Sequence, residues 1–493
     1  MIKKIHIRFF CLALLAIAAF SCNSKVEFGK HPVAKVVAAM TLDEKASLLV
    51  GTDRTCSIPR LGIPSVMLPD ANSATTPVVS MLAQSWNLQL IEQTGAVTGA
   101  EAKRSGAYCM PVPELNLQDP VVWGKTTAAL ARGIQSNGVG AIIRQPAAGQ
   151  GIKGFEIAVR ESQPWALVAA DSIADSILRG DWGFDGIVIT DRDSCDNRKN
   201  AIIEAVVKGT LDESAVDRSV TRILETIAQS LLIQESEPVA EPDTEAQALV
   251  IRSVTTESMV LLKNQGALPL DSKCRMISLY GTGLDDALKG AGYRLEPSVS
   301  AAYRNGSAHE RKPYQYRADA IASDIAIITL TDIEQGLIRD VCDAFHSKNK
   351  KVVVVLNTDA YTDTAGWTGH PDAILLAGMP GKDTWAAVTD LLKGSVNPSG
   401  KLLDGFGLSY TTFTHSEPQV TIAEDKVTVA VKVTNTGPVA GKQTVRLYLD
   451  TELKAYGKTA LLEPGNSEVL EFSLEPSNLP ADWDTQNQLV APL

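Results

Sequence analysis

The chain has 493 residues, 45% of them hydrophobic, which is enough for two or three cored domains. A formal net charge of −11 and a pI of about 5.2 argue against a nucleic-acid binder, because phosphates need a basic surface. The acidic balance suits ordinary solubility and is compatible with a neutral ligand.

The first 22 residues read as a targeting segment. Lys3, Lys4 and Arg8 precede an apolar run from Phe9 to Phe20, short for a bilayer span and the right length for a signal-peptide core. Cys22 directly after that core resembles a bacterial lipoprotein signal, in which the cysteine becomes the lipidated N-terminus, although Ala19 departs from the usual Leu or Val. Plain secretion is the alternative. Either way the expectation is export to the bacterial cell envelope, with a membrane as partner through the lipid anchor or a periplasmic location. The remaining Cys56, Cys109, Cys195, Cys274 and Cys342 are scattered and lack metal-binding or redox spacing, so free buried thiols are expected.

Met40 to Leu49 reads as a helix capped by Thr41 or Asp43. Ile58 to Asp70 is then a turn feeding a strand that ends on a carboxylate. Leu88–Arg104 and Trp123–Gln135 read as helices, and Gly138 to Ala148 as a strand and loop carrying Arg144 and Gln145. In Arg179 to Asp191, Gly183, Asp185 and Gly186 mark a turn, and Ile187 to Thr190 form a β-branched run. Asp191 ends that run. A parallel strand delivering a carboxylate at its C-terminal end fits a nucleophile or base, and a cap for the loop or following helix is the alternative. Asp191 to Asn197 fails as a calcium loop, since its sixth position is Asp196 where Gly is needed and its twelfth is Ile202 where Glu is needed. No metal is expected.

Residues 234–244, with Pro238 and Pro242 among acids, have linker composition. A helix is expected over Glu245–Leu262. Met276 to Gly283 is a strand and glycine turn, but the third glycine of a dinucleotide fingerprint would fall at Asp286, so no cofactor is expected. Apolar runs at Asp324–Leu330, Lys351–Leu356 and Ala373–Leu376 alternate with helices and predict an open parallel α/β sheet. Thr331 to Glu334 reads as a capping box that starts a helix running to His346. From Val420 the pattern alternates through Val427–Val433, Thr444–Leu449 and Val469–Leu474, which predicts an antiparallel sandwich.

Leu178-Arg179, the turn Trp182-Gly-Phe-Asp-Gly186 and the strand to Asp191 resemble the nucleophile segment of glycoside hydrolase family 3. Met40–Leu49, Ile58–Asp70, Lys263–Leu270, Gly394–Lys401 and Gly405–Phe413 resemble other segments of that family in the same order. The resemblance implies a TIM-barrel-like domain over residues 35–233, an open parallel α/β sandwich over 245–404 and a fibronectin type III-like β-sandwich over 405–493. About five strand-like runs lie where a barrel has eight, so the first domain is shortened. The implied activity is retaining, exo-acting, β-glucosidase-like hydrolysis of an oligosaccharide or β-glucoside in carbohydrate catabolism, without a cofactor. Asp191 would be the nucleophile, Asp70 would hold sugar hydroxyls, and Arg144 stands where the family has a lysine.

Departures are visible too. Ala71-Asn72 replaces a glycine-proline pair, the tryptophan-glycine-arginine motif is missing, and no histidine lies between His31 and His309. The last point excludes the branch that uses a histidine proton donor on a first-domain loop. A retaining enzyme needs a second carboxyl group roughly 5 Å from the nucleophile. The loop that carries it in the family looks deleted, Glu334 is the acid nearest the gap, and Glu310 is no stronger. Two readings follow: a hydrolase with Glu334 as acid/base, or a non-catalytic envelope lipoprotein that keeps the fold and binds carbohydrate weakly or acts as a scaffold.

Overall fold

The computed structural model describes residues 25–50, 55–66, 79–115, 117–146, 151–170, 173–189, 195–236, 244–358, 366–378, 385–423, 426–449, 451–474 and 489–490. Its first sheet is all parallel, in the order β1 (Cys109–Pro111), β2 (Gly140–Arg144), β3 (Ala166–Val168), β4 (Ile187–Ile189). Successive side chains alternate across it. Ala141, Ile143 and Leu167 join one core with Leu90, Ile91 and Phe155, whereas Ile142 and Ala166 join another with Val36, Val220 and Leu224. The strand expected to run into Asp70 is not among the described strands; Ile58 and Ile63 make only an isolated bridge around the turn Pro59–Leu61.

Two long helices cover one face of this sheet. Leu88–Arg104 has the expected bounds, and its Leu90 N–H donates to the Asn87 side chain at 3.1 Å. The next helix starts earlier than periodicity suggested, at Pro120, because Asp119 accepts from the N–H groups of Val121 and Val122 at 2.8 and 3.0 Å while Pro120 needs no donor there. The two helices touch backbone to backbone: a Cβ on Gly95 would lie 2.4 Å from the Leu130 carbonyl oxygen, and one on Gly133 would lie 2.0 Å from that of Glu92.

The second sheet runs β5 (Val260–Asn264), β10 (Ala373–Leu376), β9 (Val352–Leu356), β8 (Ile325–Leu330), β6 (Met276–Tyr280), β7 (Arg294–Leu295). It is parallel except for β5, which lies antiparallel on β10. This corrects the expected helix Glu245–Leu262, which is helical only over Thr244–Ser258. Met259, Val260, Leu261 and Leu262 are all buried, and such a run offers no polar face for a helix to turn to solvent.

The last part holds two antiparallel sheets. One joins β11 (Phe413–His415), β12 (Gln419–Ile422), β13 (Val427–Asn435) and β16 (Ser467–Leu474), and the other joins β14 (Thr444–Leu449), β15 (Glu452–Lys458) and β17 (Leu489–Val490). Val429, Val431 and Val433 on the first face Val445, Leu447 and Ala455 of the second in a shared core.

One turn ties the three parts together. Trp86 is buried at φ +53°, in the left-handed region, and its indole N–H donates to the Lys401 carbonyl at 3.0 Å. Lys401 N–H donates back to Gln84 at 2.9 Å, Lys458 Nζ donates to the Ser85 carbonyl at 2.8 Å, and Asn87 Nδ2 donates to Glu257 at 3.0 Å. Tyr456 sets its edge against Trp86 at 5.0 Å. Glu257, at the end of helix Thr244–Ser258, accepts from Lys442 and lies 3.1 Å from Lys458. Burial works to raise the Glu257 carboxyl, but the charges of Lys458 and Lys442 outweigh it and hold it below the usual range. For Lys458 burial is the larger effect and pushes its amine down to about 8.

Glu257→Gln leaves Lys458 buried without its carboxylate and should destabilise the chain by about 3–5 kcal/mol near neutral pH. An unfolded lysine titrates at about 10.4, above the folded Lys458, so the unfolded chain binds this proton more tightly and the group's contribution to stability rises with pH above the folded pKa. Removing Glu257 lowers that folded pKa further and opens the window earlier. The deficit against the native protein should therefore narrow as pH rises from about 6 to about 8 and then hold constant. Urea midpoints of both proteins across that range check it, and a deficit that widens with pH contradicts the assignment.

Candidate active site

In a parallel sheet all strand C-termini open on one rim, and among the described residues Arg144 is the expected site group that stands on the rim of β1 to β4. The register pairs Pro111 with Ile142, Arg144 with Val168, and Val168 with Ile189. Arg144 ends β2 with its Nε 3.1 Å from Oε1 of Glu114, and both side chains are exposed. Glu114 was not singled out from sequence; no motif surrounds it, and only the pairing of β1 with β2 brings it to Arg144. Gln145 ties two loops of the rim: its N–H donates to the Val168 carbonyl at 2.7 Å and its Oε1 accepts from Ala170 N–H at 3.0 Å.

The approach to β4 is the most tightly built part. Residues Ala174–Asp181 form a π-helical segment, a form that recurs at functional sites. Arg179 at its end donates through Nη1 to the carbonyls of Phe184 and Gly186, at 2.6 and 2.7 Å, and its guanidinium lies 5.4 Å from the Phe184 ring centre. Trp182 meets Phe155 edge-on at 5.6 Å, Phe184 N–H donates to Leu178 at 2.8 Å, and Asp185 is paired with Arg222 at 2.7 Å. At Gly186 a Cβ would stand 2.6 Å from the Trp165 carbonyl oxygen, so the bare backbone is what lets the chain enter β4 here. The leucine-arginine and tryptophan-glycine-phenylalanine-aspartate-glycine segments are thus one clamp. Asp191 follows two residues after Ile189; Asp191, Asp70 and Cys22 all lie outside the described residues.

Glu334 is placed differently from expectation. The helix begins at Gln335, and Glu334 is its N-cap at φ −94° and ψ 81°, with no side-chain capping bond, so the capping box from Thr331 does not form. Ile333 and Leu337 are partly buried and pack against the core that holds Leu330 and Ile338, while residues 331–334 stay outside the helix. The Glu334 side chain is exposed. Its charge adds to the larger effect of burial in raising the phenol of Tyr303 on helix Pro297–Arg304. Glu310 is also exposed, 3.8 Å from His309.

The glycine turn after β6 serves close packing. A Cβ on Gly281 would lie 2.0 Å from Thr329 Oγ1, and one on Gly283 would lie 2.5 Å from Trp385. Met81, on the short helix Val79–Leu82, shares a core with Leu330, Leu356 and Leu376 of the second sheet and stands 3.0 Å from where a Cβ on Gly378 would be. Among the described residues no group of three His, Cys, Asp or Glu side chains is placed to hold a metal ion. Cys109, Cys274 and Cys342 are buried, and burial pushes their thiols up to about 12, 11 and 12. Cys56 is exposed, against the expectation of a buried thiol.

Residues 259–428 match the sequence model of the glycosyl hydrolase family 3 C-terminal domain. Thermostable beta-glucosidase B of Acetivibrio thermocellus is 25% identical, over 90% of this chain and 83% of that protein. That alignment runs over 633 positions, more than the 493 residues of this chain, so the relative carries segments that are absent here. An exo-alpha-(1->6)-L-arabinopyranosidase of Bifidobacterium longum is 23% identical over 89% of this chain and 82% of its own length. Among solved structures, beta-glucosidase 3B of Thermotoga neapolitana in complex with glucose superposes with a TM-score of 0.82 at 24% identity, covering 90% of this chain and 94% of that one. Residues 259–428 thus match a family 3 domain, and over most of its length the chain is similar in sequence and multidomain α/β fold to β-glucosidases of glycoside hydrolase family 3.

Proposed function

We propose that this protein is a retaining, exo-acting hydrolase of β-glycosidic bonds, acting on oligosaccharides or β-glucosides in carbohydrate catabolism. The observation that carries the reading is the Arg179 clamp, which fixes the entry of β4 and so the strand whose continuation is Asp191. Asp191 attacks the anomeric carbon, Asp70 and Arg144 hold sugar hydroxyls, and Glu334 gives the proton to the leaving oxygen. Neighbouring strands are about 4.8 Å apart, so the ends of β2 and β4 stand roughly 10 Å apart, a span that one sugar ring and two side chains can fill. Glucose in the complex of the Thermotoga neapolitana enzyme supports a glucoside, while the arabinopyranosidase relative makes the sugar a property of loops rather than of the fold. The same reading places a signal peptide ahead of a lipid anchor at Cys22 in the bacterial envelope. It divides the mature chain into a TIM-barrel-like part over 35–233, a linker at 234–244, an α/β sandwich over 245–404 and a fibronectin type III-like part over 405–493.

The exposed N-cap position of Glu334 favours a second reading, in which the family fold is kept as an envelope lipoprotein that binds carbohydrate weakly or acts as a scaffold. Two experiments separate them. A 2-deoxy-2-fluoro glucoside with a dinitrophenyl leaving group needs no proton donor and traps the covalent intermediate. The expected result is an intact-mass adduct that maps to Asp191; folded protein without an adduct supports the second reading. For the hydrolase, Glu334→Gln should lower kcat/KM by about 10²- to 10⁴-fold on glycosides with sugar leaving groups and change dinitrophenyl glucoside turnover far less. Equal losses on both substrates, or none, remove Glu334 from the role.

A further inference from the structure

The rim of the first sheet holds one charged pair that stability does not explain. The chain leaves β1 still extended, because Val112 N–H donates to the Ile142 carbonyl at 2.8 Å. Val112 and Leu115 are buried in the core under the two long helices, and Glu114 between them is exposed at the rim. Arg144 follows the buried Ile143 at the end of β2, and its Nε lies 3.1 Å from Glu114 Oε1. The backbone on the other side of Arg144 is fixed as well. Gln145 N–H donates to the Val168 carbonyl at 2.7 Å, and Gln145 Oε1 accepts from Ala170 N–H at 3.0 Å. The side chains of Arg144 and Glu114 are 50% and 70% exposed, so the two charges meet in water, where such a pair adds little to stability. A ligand on the rim can reach both.

A sugar hydroxyl both donates and accepts, so a place that reads it presents both kinds of group. A guanidinium only donates and an ionised carboxylate only accepts. Side by side they offer a neutral ring both halves of the contact, and hydrogen bonds to charged groups are the stronger kind. The pair also sets which charge is admitted. A lone exposed guanidinium fits a carboxylate on two parallel N–H groups, and so draws an acidic sugar. Glu114 supplies that carboxylate from within the chain, and a second one brought by the ligand meets like charge. We propose that Glu114 is a specificity-determining residue, whose carboxylate accepts from hydroxyls of a neutral sugar beside Arg144 and rejects the corresponding uronic acid. The inference rests on the reading in which Arg144 holds sugar hydroxyls, and it adds the charge class of the sugar to that reading.

The test uses the full chain and reads binding rather than turnover. Kd values for methyl β-D-glucoside and methyl β-D-glucuronide are measured near neutral pH. The native protein should bind the glucoside at least about tenfold more tightly, and Glu114→Gln should close most of that gap. Glu114→Asp keeps the charge and should keep the preference. Adding Arg144→Gln to Glu114→Gln should abolish the gained glucuronide binding, because the guanidinium is then the group that takes the carboxylate. Tm of Glu114→Gln should match the native value, as expected of an exposed pair. A preference that Glu114→Gln leaves intact overturns the proposal, and so does a native protein that binds both sugars equally or neither. The covalent trap separates this failure from that of the hydrolase reading. An Asp191 adduct with an unchanged preference removes the role of Glu114 and leaves the hydrolase standing, whereas no adduct and no binding removes both. No adduct with a preference that follows Glu114 keeps the specificity role in a protein that only binds carbohydrate.

Discussion

The Glu257 to Lys458 contact, 3.1 Å long and buried at both ends, is the interaction on which the relative placement of everything else rests. Its partners come from the end of helix Thr244–Ser258 and from β15, and both reach the chain at Ser85 and Asn87. A buried ion pair seldom adds much net stability over a well-packed apolar pair, because both groups lose their water. It does penalise every arrangement in which either partner is left alone. Here the lysine also needs the Ser85 carbonyl and the carboxylate also needs Asn87, so only one placement of three separate cores satisfies all four groups. Trp86 in the left-handed conformation turns the backbone so that Ser85 and Asn87 can each reach their partner.

The approach to β4 obeys the same logic on a local scale. Arg179 satisfies two carbonyls of a turn that would otherwise leave them unpaired against Trp165 and Phe184. The turn is thereby tied to the π-helical segment before it. Rigid delivery matters for a nucleophile, since a reacting carboxylate must be held to within a fraction of an ångström for the attack geometry to persist. The clamp is built from residues within eight positions of each other, whereas Asp185 reaches across to Arg222 to fasten the turn to helix Glu213–Ser236.

This difference between local and distant partners explains what could be read from sequence. Helix Leu88–Arg104 and strands β9, β10 and β14 are legible because their signals, an apolar stripe or an unbroken β-branched run, lie within the element itself. The clamp before β4 is legible as a family motif for the same reason. Glu334 shows the limit: Thr331 and Glu334 have the spacing of a capping box, yet the helix begins at Gln335 and the partly buried Ile333 packs against a core shared with distant strands. The tail of helix Thr244–Ser258 is a similar case, since Val260 to Asn264 becomes a strand only because β10 is there to pair with it. Trp86, Glu257 and Lys458 carry no local signal at all. Nor does Glu114, whose meeting with Arg144 depends on the pairing of β1 with β2.

The separation between the junction and the rim also accounts for how this chain keeps an architecture it shares with longer relatives. The relative from Acetivibrio thermocellus aligns over more positions than this chain possesses, so whole segments are missing. None of the groups that hold the three parts together is among them: the turn Gln84–Asn87, Glu257, Lys401, Arg446 and Lys458 are all present and all in contact. A loop that reaches over a rim adds contacts to substrate but few to the cores. Removing such a loop leaves the cores untouched, whereas removing a single carboxylate at the junction would strand a buried cation. The groups that hold the three parts together therefore lie apart from the rim of β1 to β4, and either region can change without the other.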